Sequence, residues 1–204
     1  MGIKRYTANA DTTITNAYKA DLRTRGTGSN MGLADSLEVF HIYGQESSSS
    51  AENSRVLINF PVTTTITTDR SAGTIPASGS VSWFLRVHNV VHAGTLPKNY
   101  NMTISAISRS WDEGTGLDME GYTDSGSCNW TAAASSSGGV TAWTAAGGDY
   151  HASTPGSTVY FDNGTEDIEV DISHLVEEWI KGQSGGAKGD IHGVGIRMEN
   201  ESAL

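Results

Sequence analysis

The sequence predicts an all-β fold, namely an antiparallel β-sandwich of jelly-roll type with one short helix near the C-terminus. Roughly eight short apolar runs are separated by segments rich in Gly, Ser, Thr and Asn, a pattern typical of sandwiches and jelly rolls. Only one stretch, within residues 168–198, changes to the three- and four-residue apolar spacing of a helix. We expect one domain spanning residues 1–204, because this length is sufficient for a single core.

The first half of the chain contains four candidate strands. Residues 12–15 and the apolar positions within 37–42 mark the first two. Residues 55–60 (RVLINF) are almost continuously apolar, which is typical of a central strand that is covered on both faces. Residues 63–79, rich in Thr, Ser and Gly, are expected to form a loop. The fourth strand has its apolar residues at Val81, at Trp83 or Phe84, and at Leu85 and Val87.

In the second half, residues 103–107 and 158–161 are further candidate strands. They flank a long irregular region, residues 112–158, which is rich in Gly, Ser and Ala and contains Trp130 and Trp143. A connection of this length inside a domain is typically a packed functional loop or an interaction surface.

The one convincing helix begins at Ser173, between alternating runs at residues 168–172 and 194–198. A helix of about nine residues is marginal in water by itself, so its apolar face must dock on a sheet. The predicted core residues on that face are Leu175, Val176 and Trp179, whereas Glu177 and Glu178 are typical of a helix surface.

The charge balance argues against some classes of partner. The formal net charge is −10, the pI is about 4.9, and only 18% of the residues are charged. Binding to nucleic acid or to an anionic membrane depends on clustered Lys and Arg, so we expect neither partner.

The cellular setting is predicted from what the sequence lacks. The first ten residues do not have the apolar segment of a signal peptide, and no apolar run approaches the length of a membrane span. Cys128 is the only cysteine, so an internal disulfide and a thiolate metal site are both excluded. We therefore expect the chain to fold in a reducing cytoplasm.

Catalytic and metal-binding signals are weak. The motif GTGSNMG (residues 26–32) matches neither the dinucleotide-binding nor the phosphate-loop spacing, and we expect no enzymatic activity and no cofactor. The best metal candidate is an acidic, glycine-containing loop, which calcium favours, although the spacing fails the EF-hand pattern. The alternatives are a solvated acidic loop and a glycosidase pair. The carboxylates concerned are Asp112, Glu113, Asp118, Glu120 and Asp124.

The tryptophans allow three interpretations. Trp111, Trp130 and Trp143 fold back over a sheet edge as core residues, form an exposed platform that stacks on sugar rings, or act as hot spots of a protein interface. The candidate binding residues are accordingly Trp130, Trp143 and Tyr150.

An ordered set of motifs covers nearly the whole chain: SRVLINFPV, SVSWFLRVHNV, SRSWDEGTG, NWTAA…AWTAAGGDY and IEVDISHLVEEWIKGQ…GVGIRM. This set resembles the DNRLRE-type β-sandwich, and more closely the version found in virion structural proteins of tailed marine phages. The resemblance implies packed structural roles for Arg55, Leu57, Phe60, Trp111, Val176 and Trp179. The family usually has one more strand at the C-terminal end, where this sequence reads ENESAL. We expect that strand to lie beyond the sequence shown or to come from another molecule.

The resemblance and the composition together suggest a non-enzymatic structural protein of a phage virion, such as a capsid decoration, collar, tail or fibre component. It would bind other virion proteins and further copies of itself, and it would reside in the virion after folding in the host cytoplasm. The alternative is a carbohydrate-binding module that recognises a cell-surface polysaccharide of the host. A hydrolase, which requires two carboxylates at catalytic separation, is the third hypothesis.

Overall fold

A computed structural model of the chain describes residues 2–91, 94, 96–117, 127–136, 139–151, 156–182 and 191–201. Within these residues the strands pair antiparallel in three sheets, which confirms the prediction of an all-β fold. The strands are β1 (Ala10–Thr15), β2 (His41–Tyr43), β3 (Ala51–Asn59), β4 (Phe84–Val87), β5 (Tyr100–Ala106), β6 (Ala132–Ser136), β7 (Gly139–Ala142), β8 (Ser157–Phe161), β9 (Ile168–Asp171) and β10 (Val194–Met198). None of the helices in the described ranges is long and apolar enough to cross a membrane.

The largest sheet has six strands in the order β1-β3-β10-β5-β8, and β2 pairs with the first residues of β3. Two smaller sheets, β4–β9 and β6–β7, have two strands each. β9 lies next to β8, where the Ser157 hydroxyl donates a hydrogen bond to the backbone oxygen of Asp171 at 3.2 Å. The β4–β9 ribbon is therefore adjacent to the β8 edge of the large sheet.

β3 separates two apolar cores because the side chains of a strand alternate between its faces. Val56 and Ile58 face the first core, whereas Leu57 faces the second. The first core contains Val56, Ile58, Val62, Ile66, Ile75, Leu85, Ile104, Ala106, Phe161, Ile168, Ile172, Leu175, Val176, Trp179, Val194 and Ile196. The second core contains Ile14, Leu57, Ile107, Cys128, Trp130, Ala133 and Trp143. The prediction of a central strand covered on both faces is confirmed.

The C-terminal helix, α2 (Ser173–Gly182), is present where the sequence predicts it. Leu175, Val176 and Trp179 are buried in the first core, so the predicted docking face is confirmed. Phe60, the last residue of the predicted central strand, follows β3 and packs against the margin of the same core.

The prediction of a loop over residues 63–79, with only one helix in the chain, is wrong. A π-helical segment (Val62–Ile66) continues into the short helix α1 (Thr67–Ser71). Val62 and Ile66 are four residues apart and both are buried in the first core, so a helical turn places them on one face. The three threonines between them are poor helix formers, which hid this spacing in the sequence.

Three strand assignments also differ from the prediction, and one of them is β4, which begins at Phe84 and not at Val81. The region 112–158 is not irregular throughout, because it contains the hairpin β6–β7. Its Ala, Ser and Gly residues have low strand propensity, but burial of Ala133 in the second core favours the extended chain. The strand predicted within 37–42 begins only at His41. Leu37 and Val39, which precede His41, pack against the first core without belonging to a strand.

Candidate functional site

The predicted binding residues Trp130, Trp143 and Tyr150 come together over one face of the six-stranded sheet. Trp130 and Trp143 belong to the second core and are only 7% and 6% exposed. The indole nitrogen of Trp143 donates to the backbone oxygen of Asn129 at 2.8 Å. A ring that stacks on a sugar must present a face to solvent, so the structure corrects the prediction of an exposed platform at these two residues: both are core residues.

Arg55 contacts an aromatic ring, a carboxylate and a backbone oxygen on this face of the sheet. Its guanidinium carbon lies 4.9 Å from the centre of the Trp130 ring. Its Nε and Nη2 donate to the two oxygens of the Glu201 carboxylate, at 3.0 and 2.5 Å. Its Nη1 donates to the backbone oxygen of Gly147 at 2.6 Å. Burial alone would lower the pKa of Arg55, but Glu201 and Tyr150 together outweigh burial and raise it. The pair ties β3 to the segment after β10.

Tyr150 lies at the margin of the second core and is partly buried. Its hydroxyl donates to the backbone oxygen of Gly147 at 3.0 Å, and the guanidinium carbon of Arg197 lies 4.9 Å from its ring centre. Burial raises the pKa of this phenol. A side chain at Gly195 would collide with the Tyr150 ring, so the glycine in β10 makes room for the aromatic residue.

A polar depression of about 590 Å³ adjoins Tyr150. On its wall, the Nε of Arg109 donates to the Asp149 carboxylate at 2.5 Å, and Asp149 also accepts backbone hydrogen bonds from Thr144 and Ala145. Burial alone would raise the pKa of Asp149, but these hydrogen bonds outweigh it and lower the pKa. The depression is lined by Ser108, Arg109, Ser110, Thr144, Ala145, Gly148, Asp149, Tyr150 and His192.

Sequence reasoning missed this depression because Arg109 and Asp149 are 40 residues apart, and no local spacing links them. The only sequence signal was the isolated prediction of Tyr150 as a binding residue. The remaining lining residues are small and polar, as are many others in a chain of this composition.

The calcium candidates do not converge where the structure describes them. Glu113 accepts a hydrogen bond from the backbone nitrogen of Asp11 at 2.8 Å, while the neighbouring Asp112 is exposed. Burial, and then the nearby charge of Glu113, raise the pKa of Asp11. The other three candidates, Asp118, Glu120 and Asp124, lie outside the described residues. Among the residues that the structure covers, no group of three or more His, Cys, Asp or Glu could hold a metal ion.

Trp111, the other predicted structural tryptophan, packs against the second core, and its indole nitrogen donates to the backbone oxygen of His192 at 2.9 Å. The interpretation as a residue folded back over the sheet is therefore confirmed for Trp111.

Asn30 is a buried polar residue that the sequence did not single out. Its amide nitrogen donates to the backbone oxygens of Glu113 and Cys128, at 2.7 and 2.8 Å, and its amide oxygen accepts from Gly116 at 2.7 Å. A side chain at Gly116 would collide with the Asn30 backbone, so the loop must approach closely to make these bonds. Asn30 thus joins the 26–32 turn to the loop after Trp111.

Glu177 was predicted as a helix-surface residue, and the structure corrects this prediction. Its carboxylate accepts two hydrogen bonds from Arg70, at 3.1 and 2.6 Å, and one from the indole nitrogen of Trp83 at 2.8 Å. The side chains of Arg70 and Glu177 are only 13% and 12% exposed. This cluster ties α2 to α1 and to the segment before β4.

The chain was compared with family models, curated proteins and solved structures, and none of the three comparisons gives a match. The resemblance to the DNRLRE-type sandwich therefore stays a prediction that depends on the motifs alone.

Proposed function

We propose that the chain is a non-enzymatic structural protein of a tailed-phage virion, a decoration, collar, tail or fibre component that acts through protein–protein contacts. The observation that carries the proposal is the position of exposed apolar side chains on outermost strands. In the part of the chain that the structure describes, β2, β4, β7 and β8 each pair with one neighbouring strand, and an unpaired strand edge invites pairing with another chain. The large apolar residues exposed on these strands are Ile42, Tyr43, Phe84, Val140 and Tyr160.

The finer fold assignment is part of this proposal. In a DNRLRE-type sandwich with jelly-roll character, the six-stranded sheet would be one layer and the β4–β9 ribbon the beginning of the second. Leu85 and Ile168 of the ribbon share the first core with Val56 and Ile196 of the large sheet, which supports this assignment. The packed positions of Arg55 and Trp179 support it as well.

The proposal predicts a homo-oligomer that binds other virion proteins and that resides in the virion. It is tested by mass spectrometry and cryo-electron microscopy of purified particles that contain the chain. We expect several copies at symmetric positions, with contacts that include strand edges. A strictly monomeric chain that is absent from every purified particle would refute the proposal.

A carbohydrate-binding module is the second candidate, and the polar depression beside Tyr150 is the observation that favours it. Hydroxyl groups, an Arg–Asp pair and one aromatic ring are the group types that orient a polar ligand in a concave site. Isothermal titration against surface polysaccharides of the host tests this candidate. Binding that is abolished by Arg109→Ala and kept by Leu33→Ala, on a separate exposed surface, would establish it.

A further inference from the structure

The 18–25 turn, defined by the paired residues Tyr18 and Arg25, presents an exposed apolar side chain at its tip. Leu22 is 41% exposed and has φ of 52°, in the left-handed region that is unfavourable for a residue with a Cβ atom. Strained residues of this kind persist where the surrounding structure over-determines them, and they cluster at active sites, ligand clamps and switch regions.

Hydrogen bonds from both sides hold this turn. The Asp21 carboxylate accepts from the backbone nitrogens of Arg23 and Thr24, both at 2.9 Å, and from the Thr24 hydroxyl at 2.8 Å. The backbone nitrogen of Lys19 donates to Thr24 and that of Leu22 donates to Lys19. The tip is therefore ordered before any partner binds, which reduces the entropy lost on association.

The base of the turn is anchored to β3. Arg25 donates to the backbone oxygens of Asn16 and Ala51, both at 2.8 Å, and its guanidinium carbon lies 3.9 Å from the Tyr18 ring centre. The backbone nitrogen of Tyr18 donates to the buried Glu52 carboxylate at 2.8 Å. Leu22 is thus an apolar anchor on a fixed support, flanked by the basic residues Lys19 and Arg23.

A surface of complementary character lies on the outer face of the β4–β9 ribbon. Phe84 is 55% exposed and lies directly opposite Asp171, and Arg86 lies opposite Glu169 on the same face. Asp167 precedes β9 and continues the row of carboxylates at every second position. This acidic Phe84 patch therefore combines an exposed aromatic ring with three carboxylates, of which Glu169 is paired with Arg86 at 2.9 Å and Asp167 with His88 at 3.0 Å.

The two surfaces lie at opposite ends of the sheet order. The 18–25 turn follows β1 and is anchored to β3, whereas the β4–β9 ribbon is adjacent to β8, the last strand of that order. Two copies of a chain with net charge −10 repel each other, so a contact between them is favoured where basic residues of one copy face carboxylates of the other. The 18–25 turn provides three of the 13 Lys and Arg residues of the chain.

We propose that the 18–25 turn of one copy docks on the acidic Phe84 patch of a second copy, with Leu22 against Phe84 and with Arg23 facing Glu169 and Asp171. Because different surfaces of the two copies meet, the contact is heterologous and repeats head to tail into a ring or an open filament. This inference rests on the proposed structural role and names the partner surface for it.

The experiment uses sedimentation velocity of the full chain and of two single variants. In Leu22→Gly the turn loses its anchor but keeps its backbone, because glycine adopts positive φ freely. In Phe84→Lys the patch loses its ring and gains a repelling charge. We expect the dissociation constant for self-association of each variant to be at least about tenfold higher than that of the wild type. Leu117→Lys, which changes a still more exposed apolar residue outside both surfaces, is the control.

Mixing the two variants decides whether the contact is head to tail. Leu22→Gly keeps an intact patch and Phe84→Lys keeps an intact turn, so the mixture is expected to form a one-to-one complex that neither variant forms alone. Urea unfolding of Leu22→Gly checks that its stability is not reduced. Assembly that is unchanged in both variants would overturn this inference and leave the proposed structural role intact. A wild-type chain that stays monomeric at every concentration would also overturn it, and the composition of purified particles would then decide the proposed function separately.

Discussion

Replacement of Glu177 by Gln tests the buried cluster that joins α2 to α1. Burial alone would raise the pKa of Glu177, but hydrogen bonds from Arg70, Trp83 and Ser78 outweigh it and lower the pKa to about 2. At about 1.4 kcal/mol per pH unit below the ordinary value near 4.5, the ionised carboxylate contributes about 3 kcal/mol to the free energy of unfolding. Glu177→Gln keeps the shape of the side chain and leaves Arg70 as a nearly buried cation without its counter-charge.

The expected loss of stability for Glu177→Gln is about 2–3 kcal/mol at pH 7. Because the pKa is lower in the folded chain than in the unfolded one, this stabilisation is complete above pH 4.5 and is lost as the pH falls toward 2. Urea unfolding followed by tryptophan fluorescence at several pH values measures the difference between wild type and variant. Because the two proteins share all other carboxylates, the contribution of those groups to the pH dependence cancels in this difference.

The exposed ion pair between Arg86 and Glu169 provides the control. Its side chains are 52% and 57% exposed, so Glu169→Gln should change the free energy of unfolding by less than about 0.5 kcal/mol. A wild-type-to-variant difference for Glu177→Gln that stays constant between pH 7 and pH 3 would refute the electrostatic reasoning. It would indicate that Glu177 stabilises the helix contact through its shape alone.

Three further predictions concern the second core and its margin. Trp130→Ala removes a buried ring and should lower the free energy of unfolding by about 3–5 kcal/mol in urea titrations, whereas an unchanged midpoint would contradict its role in the core. Gly195→Ala forces the Tyr150 ring to move and should destabilise the chain by about 1–3 kcal/mol; wild-type stability with an unshifted tyrosine NMR signal would contradict this close approach. Burial raises the pKa of the Cys128 thiol, so a thiol reagent should modify it only as fast as the chain unfolds, and rapid labelling at neutral pH would show that it is accessible.

The burial of Trp130 and Trp143 changes how the carbohydrate hypothesis must be tested. Both rings support the face of the sheet on which Arg55 and Tyr150 lie, so their replacement would affect folding before it affected any ligand. Arg109 is the more informative position, because it lines the depression from outside both cores.

The pattern of apolar residues in the sequence determined the elements whose burial is regular. The continuous apolar run of residues 55–60 predicted a strand covered on both sides, and β3 has this position between two cores. The spacing of Leu175, Val176 and Trp179 predicted a docked helix. In both cases the pattern was readable because neighbouring residues share one environment. The prediction missed the helical segment Val62–Ile66, which contains three threonines, and the strand β6, which consists of small residues, because neither has a recognisable apolar pattern.

Only the tertiary structure decided which distant residues meet. Arg55 and Glu201 are 146 residues apart, Arg70 and Glu177 are 107 apart, and Asn30 and Glu113 are 83 apart. The local sequence predicts whether a position lies on the buried face of its own helix or strand. Strand order and register decide which side chains lie opposite that position across the fold. For the same reason, the sequence could not distinguish a buried Trp130 from an exposed one, since that difference depends on the sheet against which the loop packs.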